Sequence, residues 1–386
     1  MIRKKSKKAE SDQEPEGLKN TIQIRLYPTR AQAQMLREHC AEYIDCVNVI
    51  VQAHDADMLP KGFSTKDFVA PLPSAVKNQV IRDAQSVYSR SFELGRIPVL
   101  KKPFAQWNNQ NWKLEMSETR SHKKGGLKGM LIIPLWNGTR TRQIKIACCG
   151  EMPVGEKGIL RIKRKDEKWV ADATTTLPDA QPEQGEIVMG VDTGIKVPAV
   201  AYIAGKSARF YGNGCHMRYK RRKFYARRKK LQHFKKKKSV KRTKNKESRW
   251  MKDVNHKISR KIVNHAHAQG VATIRVESLK GIRFGTTRTS RGASAQKNNL
   301  AQNSWTFYQL TAFITYKAAR LGIKVEMVDP AHTSQECPAC KHRNKADDRM
   351  YACRNCGWKG HRDSVGAINI SRRTGLDGQS QGAMGA

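Results

Sequence analysis

The chain has 386 residues and carries 74 Lys and Arg against 33 Asp and Glu, a formal net charge of +41. That length suits two or three domains with sizeable cores, and a charge of that size repels itself unless a polyanion screens it, so nucleic acid is the expected partner. A membrane role is excluded at this level: no apolar run is long enough to span a bilayer, and the N-terminal MIRKKSKKAE has no hydrophobic segment behind its charges. The cysteines outside any motif (Cys40, Cys46, Cys148, Cys149, Cys215) fit a reducing interior, so an intracellular protein is expected. A basic ribosomal protein with a zinc ribbon is the plainer alternative.

Residues 1–19 read as a disordered, charged lead-in. TIQIRLY (21–27) alternates as a half-buried strand and Pro28 stops it. Thr29 can cap a helix whose Leu36, Cys40, Tyr43, Val47 and Ile50 recur at three and four, and a second helix runs from about Ala75 to Phe92. Its inner side carries Val76, Val80, Ala84, Val87 and either Ser91 or Phe92. The helical insertion 31–94 is either a structural subdomain or a surface that grips nucleic acid, and periodicity does not choose. From Gly95 onward the texture changes to short strands at 111–116, 129–135, 141–148, 158–165 and 168–176, the last two forming a hairpin. Together with 21–27 they predict a small β-barrel interrupted by the helices, and the Pro-containing 177–186 reads as a linker.

The second half opens on an apolar strand, 187–191, that ends on Asp192, and a second such run ends on Glu277. An acid inside a buried strand is costly if unpaired, and a metal ion would resolve that cost; a carboxylate at a solvent edge is the plain alternative. Between the two acids, 218–246 is the most basic stretch and contains no acid. Its Arg218, Lys220, Arg221, Arg222, Lys223, Arg227, Arg228, Lys229, Lys230, Lys235, Lys236, Lys237 and Lys238 are candidate phosphate contacts. Like charges at this spacing predict a helix that frays until phosphates neutralise it, with Tyr219, Phe224, Tyr225, Leu231 and Phe234 as anchors. A nuclear-localisation tract is the competing explanation. From Trp250 the pattern Met251, Val254, Ile258, Ile262 predicts a well-formed helix closed by Gly270.

Residues 281–303 lack periodicity and read as a mobile loop behind Glu277, where a lid or guiding segment would sit. Ser304 then caps a helix with Trp305, Leu310, Phe313, Ile314 and Ala318, closed by Gly322, and a strand follows at 323–329. Cys337, Cys340, Cys353 and Cys356 form two C-x-x-C pairs at zinc-ribbon spacing, which places four thiolates around one structural Zn²⁺ with no open position for chemistry. Asp363 heads a short helix carrying Val365, Ile368 and Ile370, and 371–386 reads as a disordered tail. The alternation of strands and helices in this half is that of an α/β sheet. Asp192, Glu277 and Asp363 all fall at element ends, so the fold can converge them around two Mg²⁺ for in-line phosphodiester hydrolysis.

At these residues the chain resembles the TnpB-type RNA-guided endonucleases of IS200/IS605-family transposons, relatives of the miniature type V CRISPR (Cas12) effectors. GVDTGIK matches the first RuvC motif of that family, VESLKGIR the second, and CRNCGWKGHRDSVGAINI the end of its zinc ribbon and the third motif. The resemblance covers about 20–370 and implies catalytic, Mg²⁺-binding roles for Asp192, Glu277 and Asp363. His361, Val365 and Gly366 depart from the commoner D-R-D-x-N-A-A-x-N, while Asp363 and Asn369 are kept. The implied fold is a wedge-type β-barrel (20–30 and 95–186) with a helical recognition lobe (31–94). An α/β RNase H-like (RuvC) nuclease domain (187–336 and 357–370) with an inserted zinc ribbon (337–356) follows. The implied partners are a structured guide RNA and a double-stranded DNA target read beside a short motif, in a monomeric ribonucleoprotein that is cytoplasmic and nucleoid-associated when on DNA. A miniature Cas12 effector with a CRISPR RNA shares the same chemistry, and a non-catalytic basic zinc-ribbon RNA-binding protein is the alternative from another class.

Overall fold

The computed structural model describes residues 17–120, 126–178, 180–278, 307–344 and 349–374. The start of the lead-in, the loop 281–303, Ser304, Trp305 and the end of the tail lie outside the described residues. The chain divides into two compact units, Met1–Pro178 and Asp179–Ala386.

In the first unit, β1 (Lys19–Leu26) is followed by two helices, α1 (Arg30–Asp55) and α2 (Ser74–Leu94), and then by six strands. These are β2 (Phe104–Trp107), β3 (Lys113–Arg120), β4 (Leu127–Trp136), β5 (Thr141–Gly150), β6 (Glu156–Lys165) and β7 (Lys168–Thr176). They form one sheet in the order β2-β6-β7-β1-β5-β4-β3, antiparallel between all neighbours. β1 lies at the centre, so the first strand of the chain is the one on which both later hairpins assemble. β2 was not foreseen: four residues behind Pro103 are too short to display an alternation.

Thr29 starts α1 as its residue type predicts, with its hydroxyl accepting from the Gln32 N–H while the Gln32 side chain accepts from the Thr29 N–H. The apolar stripes of both helices do not form a separate core. Leu36, Tyr43, Val47, Val76, Val80 and Ala84 join Ile24, Trp107, Leu131 and Ile146 in one continuous cluster. Ser91 turns inward and Phe92 stays 72% exposed, which resolves the choice left open at the end of α2. Asp83 of α2 accepts hydrogen bonds from the Tyr43 hydroxyl (2.8 Å), the Gln79 amide (3.2 Å) and the Gln106 amide, so a carboxylate inside the helix-to-sheet joint is satisfied by three donors.

His39 has no such relief. It is 4% exposed, stacks on Trp107 at 5.2 Å and 7°, and neither ring nitrogen has a hydrogen-bond partner among the described residues. Burial pulls its pKa from 6.5 down to about 4. Between those values the unfolded chain binds a proton that the folded unit refuses, so the stability present above pH 6.5 is lost as the pH falls toward 4. At pH 5 that loss is about 2 kcal/mol. His39→Phe should keep the stack and lower the stability difference between about pH 7 and pH 5 by this amount in urea titrations. An unchanged difference would contradict the assignment.

The second unit is built on a five-stranded sheet of β8 (Val188–Asp192), β9 (Ala199–Ile203), β10 (Arg209–Tyr211), β11 (Thr273–Glu277) and β12 (Lys324–Val328). The order is β10-β9-β8-β11-β12; β10, β9 and β8 pair antiparallel, while β8, β11 and β12 run parallel. Its helices are α3 (Gly214–His233), α4 (Lys237–Thr243), α5 (Lys246–Ala268), α6 (Phe307–Ala319) and α7 (Arg362–Arg372). Met189, Val191, Ile274 and Val276 face Ile258, Ile262 and Val263 of α5 and Leu310, Ile314 and Ala318 of α6. The other face takes α7: a Cβ on Gly190 would stand 2.1 Å from the Ala367 carbonyl oxygen and 2.4 Å from the Ser371 nitrogen, so only glycine admits the helix this closely.

The basic tract is helical as α3 and α4, broken where Lys235 (φ 48°) and Asn245 (φ 64°) take left-handed backbone. The order has local causes: the Asn213 side chain caps the His216 N–H at 2.9 Å, and Met217 packs on Met251 of α5. Three of the expected anchors are not anchors. Tyr219, Tyr225 and Phe234 are 54%, 60% and 55% exposed, because the one-sided packing of α3 on α5 uses Met217 and leaves those rings on the outer side. Phe224 lies 6.3 Å from Trp250 and Leu231 is half-buried.

Candidate functional site

Asp192 is the last residue of β8 and Glu277 the last of β11, and these strands are parallel neighbours with Val191 paired to Val276. Both acids therefore emerge side by side at the carboxyl end of the sheet. Because Val191 and Val276 point into the α5–α6 core, strand alternation turns Asp192 and Glu277 toward the α7 face. Asp363 sits in the first turn of α7, where its backbone N–H donates to Nδ1 of the N-cap residue His361 at 3.2 Å. One turn later Gly366 passes directly over Asp192, so close that a Cβ there would be 2.8 Å from Asp192 Oδ2. The three acids predicted from sequence are thus brought to one end of one sheet.

Their electrostatics follow from that convergence. The Asp192 carboxyl is pushed well above the usual carboxylate range, first by burial and then by the charges of Glu277 and Asp363; the Thr193 N–H and Arg362 only partly offset this. A little of Asp192 still reaches solvent, but two facing like charges fix the direction of the shift. Glu277 is also raised, by burial and Asp329, against the opposing Thr333 hydroxyl and Arg373. Raised carboxylates oppose folding as the pH climbs through their pKa values, so these acids are not there for stability. Such perturbation makes this sheet end the candidate site.

Several supporting residues were not legible as site residues. The Thr333 hydroxyl donates to Glu277 Oε1 at 2.5 Å. The Asn369 amide donates to the carbonyls of Thr333 (2.8 Å) and Glu336 (2.7 Å), tying α7 to the turn that presents Thr333. Arg275, two residues before Glu277 and on the same face, donates to Glu326 at 3.0 Å and to the Ser371 carbonyl at 2.9 Å, which holds the C-terminal end of α7. Arg349 reaches Asp363 Oδ2 at 3.4 Å. The only sequence signal for the first two was their position in HTSQ (332–335) and at the end of the third motif.

The second cluster is the knuckle between β12 and α7, whose hairpin is β13 (Met350–Ala352) and β14 (Lys359–His361). The Sγ atoms of Cys337, Cys340, Cys353 and Cys356 all lie within 4.8 Å of one another, with Cys337–Cys356 at 3.6 Å and Cys340–Cys353 at 3.5 Å. A tetrahedron with Zn–S bonds of about 2.3 Å has edges of about 3.8 Å, whereas a disulfide would need about 2.05 Å. The four thiols fit a zinc ion and not a pair of bridges. Each pair sits on a tight turn, closed by the Lys341 N–H to the Cys337 carbonyl and the Gly357 N–H to the Cys353 carbonyl. Hydrogen bonds from the Asn355 side chain and the His342 backbone pull the Cys340 pKa down, while the neighbouring thiols push that of Cys356 up. Among the described residues these cysteines are the only group of three or more potential ligands that closes on one point; the three carboxylates face one another without closing in this way.

Of the candidate phosphate contacts, Arg222, Lys223, Arg227, Lys229, Lys230, Lys235, Lys236, Lys237 and Lys238 are exposed, while Arg218, Lys220, Arg221 and Arg228 are half-buried. No helix among the described residues is long and apolar enough to cross a membrane.

Comparison with known proteins bears on this arrangement. Residues 307–370 match the family described as the Cas12f1-like TNB domain, and residues 166–283 match one described as a probable transposase. The chain is homologous to the TnpB and Cas12f1 nuclease family. Among these homologues, the CRISPR-associated endodeoxyribonuclease Cas12f1 of Sulfoacidibacillus thermotolerans is 28% identical over 239 residues, 58% of this chain and 54% of that protein. A TnpB-like protein of Methanocaldococcus jannaschii is 32% identical over 130 residues, 33% of this chain and 45% of its own length. The chain therefore spans about half the length of these curated relatives. The cryo-EM structure of CasPhi-2 (Cas12j) bound to crRNA superposes with a TM-score of 0.54 at 10% identity, covering 93% of this chain and 98% of that one, which is a likeness of fold.

The knuckle and α7 share a core, since Val365 packs with Cys337, Tyr351 and Cys353. Cys337→Ser or Cys353→Ala should therefore release zinc and also loosen the helix that carries Asp363. Elemental analysis should find about one zinc per chain in the parent and markedly less in either variant, with a lowered melting temperature. Parent protein without zinc would contradict the assignment.

Proposed function

We propose that the chain is an RNA-guided DNA endonuclease of the TnpB type, in which Asp192, Glu277 and Asp363 hold the catalytic cations. The observation that carries this reading is the placement of two acids at the ends of adjacent parallel strands, facing a helix whose first turn supplies the third. The sheet order, with three antiparallel strands followed by two parallel ones, supports an RNase H-like (RuvC) domain over 187–336 and 357–370, with 337–356 as its zinc ribbon. The antiparallel sheet of the first unit supports a wedge-type barrel over 20–30 and 95–186, and the helix pair α1 and α2 supports a recognition insertion over 31–94. One structural Zn²⁺ belongs to the four cysteines.

Two Mg²⁺ at the carboxylates would supply an activated water and neutralise the leaving 3′ oxygen of a phosphodiester. The protein's own part is to keep the three carboxylates converged against their mutual repulsion. Thr333 orients Glu277 through its hydroxyl, while Asn369 and Arg275 fix α7 and hence Asp363. The basic face of α3 and α4 takes phosphates without reading bases, so sequence choice is left to pairing between a guide RNA and the DNA target, in a monomeric ribonucleoprotein.

A miniature Cas12 effector with a CRISPR RNA is a second reading, favoured by the Cas12f1-like match over 307–370. It shares the same chemistry, and the origin of the bound RNA separates the two. Asp192→Ala, Glu277→Ala and Asp363→Ala should each reduce Mg²⁺-dependent DNA cleavage to background while RNA and DNA binding persist. Thr333→Val should reduce cleavage by about 10–100-fold, the range seen when a group supporting a metal ligand is removed. Cleavage that survives all three alanine changes would overturn the assignment of these acids, whereas a parent that binds RNA and never cleaves would favour a non-catalytic RNA-binding protein.

A further inference from the structure

Glu247 is the first acid after the basic tract, and it stands in the first turn of α5, where a helix favours negative charge. It lies in a cleft of about 480 Å³ between α3, α4 and α5, lined by Arg221, Arg228, Lys241 and Lys244. Arg221 and Arg228 are two helical turns apart and so share a face of α3. They divide the carboxylate between them: Arg221 Nε donates to Oε1 at 2.9 Å, and Arg228 Nη2 lies 3.5 Å from Oε2. Among the described residues lining the cleft Glu247 is the one acid, and its single charge is shared over two oxygens. A phosphodiester has the same charge on two non-bridging oxygens, and arginine forks recognise both groups in the same way.

We propose that this cleft is a phosphodiester site that Glu247 occupies in the free protein, its carboxylate standing in for the phosphate and giving way when a nucleic-acid backbone enters. The arrangement is open to a competitor: the side chains of Glu247, Arg221 and Arg228 are 21%, 23% and 40% exposed, so solvent and an entering phosphate reach all three. Glu247 therefore does two things. It lets α3 and α5 pack before any ligand arrives, and it screens the two arginines from nucleic acid that makes too few other contacts to displace it. The chemistry is that of any phosphodiester, so RNA and DNA are distinguished by the test. The proposal rests on the nucleic-acid-binding part of the function above but not on cleavage.

Once Glu247 gives way, Arg221 and Arg228 both count toward counterion release in the complex, and Glu247 sets only the cost of reaching it. Full-length protein washed free of nucleic acid is titrated with a single-stranded RNA and with a duplex DNA of unrelated sequence over a range of salt. Arg221→Gln and Arg228→Gln should each remove about one unit of log–log salt slope for whichever probe uses the cleft. Glu247→Gln should tighten binding of that probe several-fold, and most of this gain should vanish when both arginines are also changed to Gln. Asp253→Asn removes the same charge from an exposed position on the same helix and controls for net charge alone. Tightening by Glu247→Gln no greater than that by Asp253→Asn overturns the proposal. So does an unchanged slope on Arg221→Gln and Arg228→Gln in the parent, a comparison that remains decisive if Glu247→Gln fails to fold. Failure of the parent to bind either probe at low salt overturns this proposal and the nucleic-acid reading together, whereas binding without DNA cleavage counts against only the endonuclease reading.

Discussion

The close approach of α7 to β8 is the constraint on which the candidate site depends. Gly190 removes the side chain that would hold the helix off, and Gly366 lets the first turns of α7 settle on the Asp192 carboxylate. Three further contacts fix the helix along its length: Val365 in the knuckle core, Asn369 on the carbonyls of Thr333 and Glu336, and Arg275 on the Ser371 carbonyl. None of these residues is proposed to touch substrate. Each sets where Asp363 stands relative to Asp192 and Glu277, so the cysteine cluster acts on the carboxylates through α7 while staying chemically inert.

Charge is arranged in opposition. A chain with a formal net charge of +41 collects three carboxylates at one sheet end, where burial raises both Asp192 and Glu277, helped by the charges of Glu277 and Asp363 on the first and of Asp329 on the second. Held that way, Asp192 and Glu277 keep protons more readily than scattered surface acids do. Elsewhere the acids are used to tame the cations: Glu247 bridges Arg221 and Arg228, Glu326 takes Arg275, and Glu336 takes Arg343 and Arg373. The exposed arginines and lysines of α3 and α4 and the half-buried carboxylates therefore stand on separate elements of the same unit.

What could be read from sequence was what depends on local pattern. The alternation in TIQIRLY, the Thr29 cap, the stripe of α5 and the apolar runs ending on Asp192 and Glu277 each became the expected element, and the C-x-x-C pairs came together as the spacing predicts. What could not be read depends on tertiary partners. Lys317 is 3% exposed, its ammonium donating to the His256 carbonyl (2.7 Å) and the Ser259 hydroxyl (2.6 Å), although nothing in its neighbourhood in the sequence sets it apart from a surface lysine. The rings of Tyr219, Tyr225 and Phe234 have the spacing of anchors and lie exposed, because the partner surface on α5 is narrower than the stripe. Thr333 and Arg275 act only because strands distant in sequence bring Glu277 and α7 beside them.

The central claim is that the three carboxylates form one cation site. Electron paramagnetic resonance of Mn²⁺ added to the full-length protein measures this without depending on substrate, guide or cleavage. The account predicts bound Mn²⁺ in the parent that is lost in Asp192→Asn and in Asp363→Asn, with zinc content unchanged. Equal Mn²⁺ binding by the parent and both variants would contradict it.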